Sequence, residues 1–258
     1  MAITTEQIKE LRDATGVSVM QCKKALEEAG GDMEKALMIL KKKSSDIAIK
    51  KADRETNDGI IVVKQNPGKA IVLVLSCETD FVAKNEDFLG LAETLANMAA
   101  TDGKDATLAK APELISQVVQ KVGENIQIHT IETIEAPVVG SYVHSGKSAA
   151  VVALSSGGNE ALAKDVAMHV AAMKPEYATL EDVSPETKDK VKEMFAKEVT
   201  ESDKPEDIKA KMLEGKIGTY LKEQVLVEQP FVKNPDATIG KLLADAGAKL
   251  EKFVRYSI

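Results

Sequence analysis

The sequence predicts an α+β protein: a small three-helix bundle, then two related α/β subdomains, the second interrupted by a helical hairpin. Three observations carry this. Apolar residues recur at helical spacing over the first 40 residues, with Gly16 and Gly30-Gly31 as stops. After Gly59 the pattern changes to β-branched runs, residues 60–63 and 70–75, joined by the turn Asn66-Pro67-Gly68. A similar run, residues 149–154, returns later with a helical pattern behind it, so the plan is duplicated rather than repeated as a solenoid.

In chain order, Thr4 with Gln7 fits a capping box, and Ile3 with Ile8 a hydrophobic staple. Ser18 with Gln21 and Val17 with Cys22 repeat that grammar, and Asp32 caps a third helix with Met33, Ala36, Leu37 and Leu40 inward. Three helices of this length lie near the lower size limit for a stable core, and they resemble a ubiquitin-associated-type bundle (residues 1–40). The lysine-rich residues 41–58 read as a linker, helical in part or extended, with a solvated charge run. The first α/β subdomain spans 59–125. After its β-hairpin come a helix over 86–100, with Phe88, Leu91 and Leu95 on one side, and another from about Pro112 to Val122. The second spans 126–183, with strands beginning near Ile126, Val138 and Ala149 and a helix over 159–173. Residues 184–228 form the inserted hairpin. Its thin apolar seam is Val191, Met194, Phe195 and Val199 against Ile208, Met212 and Ile217, and it either stands in solvent or meets a second copy to make a homodimer. Residues 229–258 return to the second subdomain with a helix over 239–246 and a strand over 250–256.

Composition narrows the function classes. A net charge of -7 and an aromatic content of 3% argue against direct nucleic-acid binding, which needs basic stripes and stacking surfaces. Cys22 and Cys77 show neither metal spacing nor a disulfide framework and read as buried thiols, consistent with the cytoplasm. There is no signal core at the N-terminus, and no apolar run approaches the roughly 20 residues of a membrane helix. The turn Ser145-Gly146-Lys147-Ser148 lacks the upstream glycine spacing and the following helix of a phosphate loop. His129, His144 and His169 have no metal-ligand spacing; His169 reads as packed in a helix, and His144, before a glycine turn, as the exposed one. No nucleophile elbow or Cys/His constellation is present, so neither catalysis, nor a cofactor, nor a metal is expected.

The most informative stretch is Ser76 to Asn85. It follows a buried strand and precedes a helix beginning near Glu86, whose orphan N–H groups Thr79 or Asp80 could cap. Phe81 stands among Glu78, Asp80, Lys84 and Asn85, either as a core anchor or as an exposed hot spot. Composition favours the anchor.

Thr79-Asp80-Phe81-Val82-Ala83-Lys84 resembles a signature of bacterial translation elongation factor Ts, the nucleotide exchange factor of the GTPase elongation factor Tu. Leu11 to Gly16 with Met20 to Leu26 resembles a second signature, with Val19 and Met20 before the cysteine and Gln21 where an acidic residue is common. Further fragments follow in order: Val122-Gly123-Glu124-Asn125-Ile126, Gly140 to His144, Ala167 to Ala172, Gln229 to Val232 and Phe253 to Tyr256. The resemblance implies a non-catalytic protein that binds elongation factor Tu carrying GDP. It implies that Thr79, Asp80, Phe81 and Val82 form a wedge that displaces magnesium. By the same resemblance Arg12, Val19, Met20 and Lys23 touch the GTPase domain, and Val122 and Gly123 support the wedge. His144, Val232 and Lys233 then meet the distal domain, although an apolar residue is frequent where Lys233 stands. Two other classes compete: a ubiquitin-associated adaptor, which leaves both α/β subdomains unexplained, and a nucleotide-using enzyme built on Gly146-Lys147-Ser148, which direct nucleotide binding would reveal.

Overall fold

The computed structural model describes residues 3–200 and 205–258. The chain divides into two units, residues 1–64 with 71–133 and 258, and residues 65–70 with 134–257.

In the first unit, α1 (Thr5–Thr15), α2 (Val19–Glu28) and α3 (Met33–Lys51) begin on the caps the sequence announces. Thr4 and Ser18 form reciprocal capping boxes with Gln7 and Gln21, and Asp32 accepts from the N–H of Lys35. Hydrogen bonds from the backbone hold the Asp32 carboxyl below its ordinary range. Leu11, Val17, Cys22, Leu26 and Leu40 close the bundle core. Leu37, expected inward, is 39% exposed.

α3 continues through residues 41–51, which is the helical part of the stretch read as a linker. Its inward face passes from Ala36 and Leu40 through buried Ser44 to Ile47 and Ala48, so one helix serves two cores. Ser44 hid that face, since a serine breaks the apolar period. Its hydroxyl donates to the Lys41 carbonyl at 2.8 Å and lies 3.4 Å from the Ser116 hydroxyl, which satisfies it in place.

A three-stranded sheet of order β1-β2-β3 follows: β1 (Asp58–Asn66), β2 (Lys69–Cys77) and β3 (Ile126–Glu135). The sequence assigns Ile126 onward to the second subdomain, whereas β3 completes the first sheet beside β2. Between β2 and β3 lie the one-turn α4 (Asp80–Ala83), α5 (Glu86–Thr101) and α6 (Lys104–Val122). Leu73, Leu75, Phe88, Leu91, Leu95 and Val119 form their shared core. Pro112 lies inside α6 rather than at its start. The hydrogen bond it removes would end at the carbonyl of Leu108, an exposed residue, where water can replace the lost donor.

In the second unit, β4 (Val138–His144), β5 (Ser148–Ser156) and β8 (Lys249–Ser257) form an antiparallel sheet of order β4-β5-β8. Residues 145–147 are the turn between β4 and β5, as expected, with Ser145 and Gly146 at positive φ. α7 (Glu160–Met173) lies on this sheet so closely that a Cβ on Gly140 would come 2.2 Å from the Lys164 backbone nitrogen. Val152, Leu154, Val166, Val170, Leu226 and Ile239 fill the core.

α8 (Pro185–Thr200) and α9 (Glu206–Gln224) follow, and of the residues between them 201–204 lie outside those described. Their seam is carried by Val191, Leu221 and Val225, with Phe195 edge-on to Tyr220 at 5.8 Å. Met194 and Ile208, read as seam residues, are exposed. The chain then forms a short ribbon, β6 (Pro230–Phe231) with β7 (Asn234–Thr238), and α10 (Ile239–Asp245) before β8. No helix among the described residues is long and apolar enough to cross a membrane.

Candidate functional site

β2 is buried along residues 70–77 and ends against a turn that reverses outward. Thr79 does not cap the long helix. It caps α4, where its hydroxyl accepts from the N–H of Val82 at 3.4 Å, and Asn85 caps α5 separately. One helical turn cannot bury all its side chains. α4 turns Val82 and Ala83 into the core and leaves Asp80 and Phe81 outside. Phe81 is 82% exposed, so the core-anchor reading is overturned. Leaving such a ring in water forgoes about 1.5–3 kcal/mol of burial.

The turn is fixed from beneath by Glu124, a residue given no role by sequence reasoning. Its Oε2 accepts from the backbone N–H groups of Glu78 and Thr79 at 3.1 and 3.0 Å, while Oε1 accepts from the Thr79 hydroxyl at 2.7 Å. Glu78 returns the link by accepting from the N–H of Asn125 at 2.6 Å, and Arg54 lies 3.3 Å from the same carboxylate. The Asn125 amide donates to the carbonyls of Ala52 and Arg54. Charge-assisted bonds from two directions thus hold the backbone under Phe81. The available signal was Glu124-Asn125 directly after the glycine that stops α6, where a carboxylate can reach unpaired N–H groups.

Val122 and Gly123 end α6 immediately before Glu124, which brings them to the same turn. Lys51 donates to the Gly123 carbonyl at 2.5 Å and holds that end. Asp80 pairs with Lys84 at 2.7 Å on the surface, and this pair raises the Lys84 pKa, chiefly through the hydrogen bond.

Val19, Met20 and Lys23 share the outer face of α2, because Cys22, Ala25 and Leu26 take the inner one. Val19 is 50% and Met20 63% exposed, an apolar pair beside a lysine that bridges Glu27 loosely at 3.8 Å. Arg12 is exposed on α1.

In the second unit His144, Val232 and Lys233 come together at one cavity of about 360 Å³, with Tyr142, Ser148 and Met168. Tyr142 and His144 stack at 6.2 Å with hydroxyl and Nδ1 3.3 Å apart, and the buried Ser148 hydroxyl finds no hydrogen-bond partner among the described residues. His129, expected to be hidden, is exposed as well. Among the described residues no cluster of His, Cys, Asp or Glu is placed to hold a metal ion.

Comparison with known proteins gives the family. A family model described as elongation factor TS matches residues 78–258. The chain is 42% identical to elongation factor Ts of Hahella chejuensis over 264 residues, covering 100% of this chain and 92% of that protein. It is 43% identical to that of Marinobacter nauticus, covering 100% and 91%, and 41% identical to that of Saccharophagus degradans, covering 100% and 92%. The chain, an α+β protein with an exposed phenylalanine on a clamped turn, therefore belongs to the elongation factor Ts family of protein biosynthesis.

Proposed function

We propose that this chain is the guanine nucleotide exchange factor of elongation factor Tu, and that it works by contact without chemistry of its own. The observation that carries the reading is Phe81: a large apolar ring held in water on backbone that four hydrogen-bonded residues keep in place. In this reading Asp80 and Phe81, with Thr79 and Val82 shaping the turn, enter the GTPase domain beside its magnesium site. Phe81 wedges apart the elements that hold the ion, magnesium leaves, and the diphosphate loses its counter-charge. The free energy for the shift comes from contacts made better with the nucleotide-free state than with the GDP state. Linkage then requires that incoming GTP weaken the factor by the same factor by which the factor weakens nucleotide, so GTP releases it.

Val122 and Gly123 support the wedge turn. Arg12, Val19, Met20 and Lys23 form a second contact with the GTPase domain, and His144, Val232 and Lys233 a third with the distal domain. The place of work is the cytoplasm. The exposed Met194 and Ile208 of the helical hairpin are where we place any self-association, which sedimentation at rising concentration measures.

The test is release of a fluorescent GDP analogue from elongation factor Tu. The wild-type chain is expected to accelerate it strongly and to bind no nucleotide itself. Absence of acceleration by folded protein, or saturable nucleotide binding by the chain alone, contradicts the reading.

A further inference from the structure

His169 is fully buried on α7, and nothing in the exchange mechanism uses it. Its surroundings fix its proton. The backbone N–H of Val232 donates to Nδ1 at 3.2 Å, so Nδ1 must be the bare nitrogen. Nε2 therefore carries the hydrogen and donates to Gln229 Oε1 at 2.8 Å. The Gln229 amide nitrogen in turn donates to the Glu223 carbonyl at 2.6 Å, which sets the orientation of that amide. The result is an ordered run, backbone to imidazole to amide to backbone, with each buried polar group satisfied. Burial pushes the imidazole pKa down, against the pull of Gln229, which agrees with a neutral ring.

One turn earlier on the same helix face, Asp165 pairs with Lys233 at 2.7 Å. α7 thus grips two successive residues, Val232 by its backbone and Lys233 by its side chain. They sit at the tip of the β6–β7 ribbon, whose pairing is short and shifted in register between Pro230 and Phe231. Two strands of that length do not hold a tip in place unaided. Phe231 packs near the His169 ring at 6.1 Å and closes the same joint.

We propose that His169 is a positioning residue: with Gln229 it fixes Val232 and Lys233 at the rim of the cavity they share with His144, and so sets how tightly that rim holds the partner GTPase. The proposal rests on the exchange-factor reading. It predicts a split between the chain's two functions. The rim governs grip and the Phe81 turn governs release, so disturbing His169 changes the concentration needed and not the maximal rate.

Two substitutions separate the nitrogens. In His169→Asn the amide oxygen falls where Nδ1 was, so Val232 keeps its acceptor. In His169→Gln the amide group reaches Gln229 instead, and the Val232 N–H loses its partner. Release of fluorescent GDP from elongation factor Tu is measured against factor concentration for wild type and both variants, with melting curves to establish folding. His169→Gln is expected to raise the half-saturating concentration about tenfold at an unchanged maximal rate, and His169→Asn to stay within about twofold of wild type. An imidazole ¹⁵N spectrum of the wild-type chain alone should show a neutral ring with the hydrogen on Nε2. Half-saturation at the wild-type concentration by both folded variants overturns the positioning role alone, as does a spectrum with the hydrogen on Nδ1. Failure of the wild type to accelerate release overturns the exchange reading and, with it, the docking role.

Discussion

The two α/β subdomains solve the same junction in opposite ways. In each, a buried central strand gives way to a turn and then to a helix capped by asparagine, Asn85 in one and Asn159 in the other. After β5 the turn is Ser156-Gly157-Gly158, with both glycines at positive φ, 63° and 68°. A Cβ on Gly157 would lie 1.9 Å from the Gly247 carbonyl oxygen, so the backbone there lies close against Gly247, and the turn, though exposed, carries no large side chain. After β2 the turn carries Glu78, Thr79 and the one-turn α4. It is braced from below by Glu124 and leaves Phe81 in solvent. Glycines thus make one junction compact, and a carboxylate clamp makes the other a presenter of Phe81. Rigidity matters because a wedge that folds back on contact cannot transmit binding free energy to its target.

The sharpest break of this comparison is to exchange costs between the turns. Gly157→Ala should destabilise the second unit by roughly 3 kcal/mol or more, from backbone strain plus collision, read by chemical denaturation. Phe81→Ala, at the corresponding junction, should leave stability within about 0.5 kcal/mol, because the residue is 82% exposed and has little burial to lose. Equal losses at the two turns would show that Phe81 is packed after all.

A smaller effect separates the clamp from what it clamps. Glu124→Ala removes three acceptor contacts and should reduce accelerated GDP release about tenfold, while costing about 1–2 kcal/mol of stability. Glu124→Gln keeps an oxygen for the two N–H groups and should recover most of the rate. Hydrogen exchange at the Thr79 amide, fast in Glu124→Ala and slow in wild type, checks the clamp without any partner.

The smallest expected effect is in pH. The second unit buries His169 with a lowered pKa, while the core cluster of the first contains no histidine. Between the ordinary imidazole value and the lower folded one, the unfolded chain takes up a proton that the folded chain refuses. Stability contributed by the neutral ring is therefore complete above the ordinary value and lost as pH falls through that window. Melting followed separately in each unit should show the second softening first below about pH 6.5. His169→Asn should abolish that difference.

Much of the fold was legible because its punctuation is local. Thr4-Gln7, Ser18-Gln21 and Asp32 name the starts of three helices, and β-branched runs name the buried strands. What escaped depends on contacts distant in sequence. Ser44 lies in α3 at a core position only because Ser116 meets it, and β3 joins the first sheet although Ile126 opens a stretch that reads as a new subdomain. At the site, the sequence marked Phe81 but could not say which way it points. That depends on Val82 and Ala83 filling the core and on Glu124, some 45 residues away, holding the turn. Val232 and Lys233 were named by resemblance, and only the structure brings them to one cavity with His144.

The measurement that tests the central claim most directly is the maximal rate of GDP release from elongation factor Tu at saturating factor, Phe81→Ala against wild type. If the exposed ring on the clamped turn is the wedge, the maximal rate should fall by at least about 30-fold, the scale of an interface hot spot, with an unchanged melting curve. A maximal rate equal to wild type would contradict the wedge and move the exchange mechanism to other contacts.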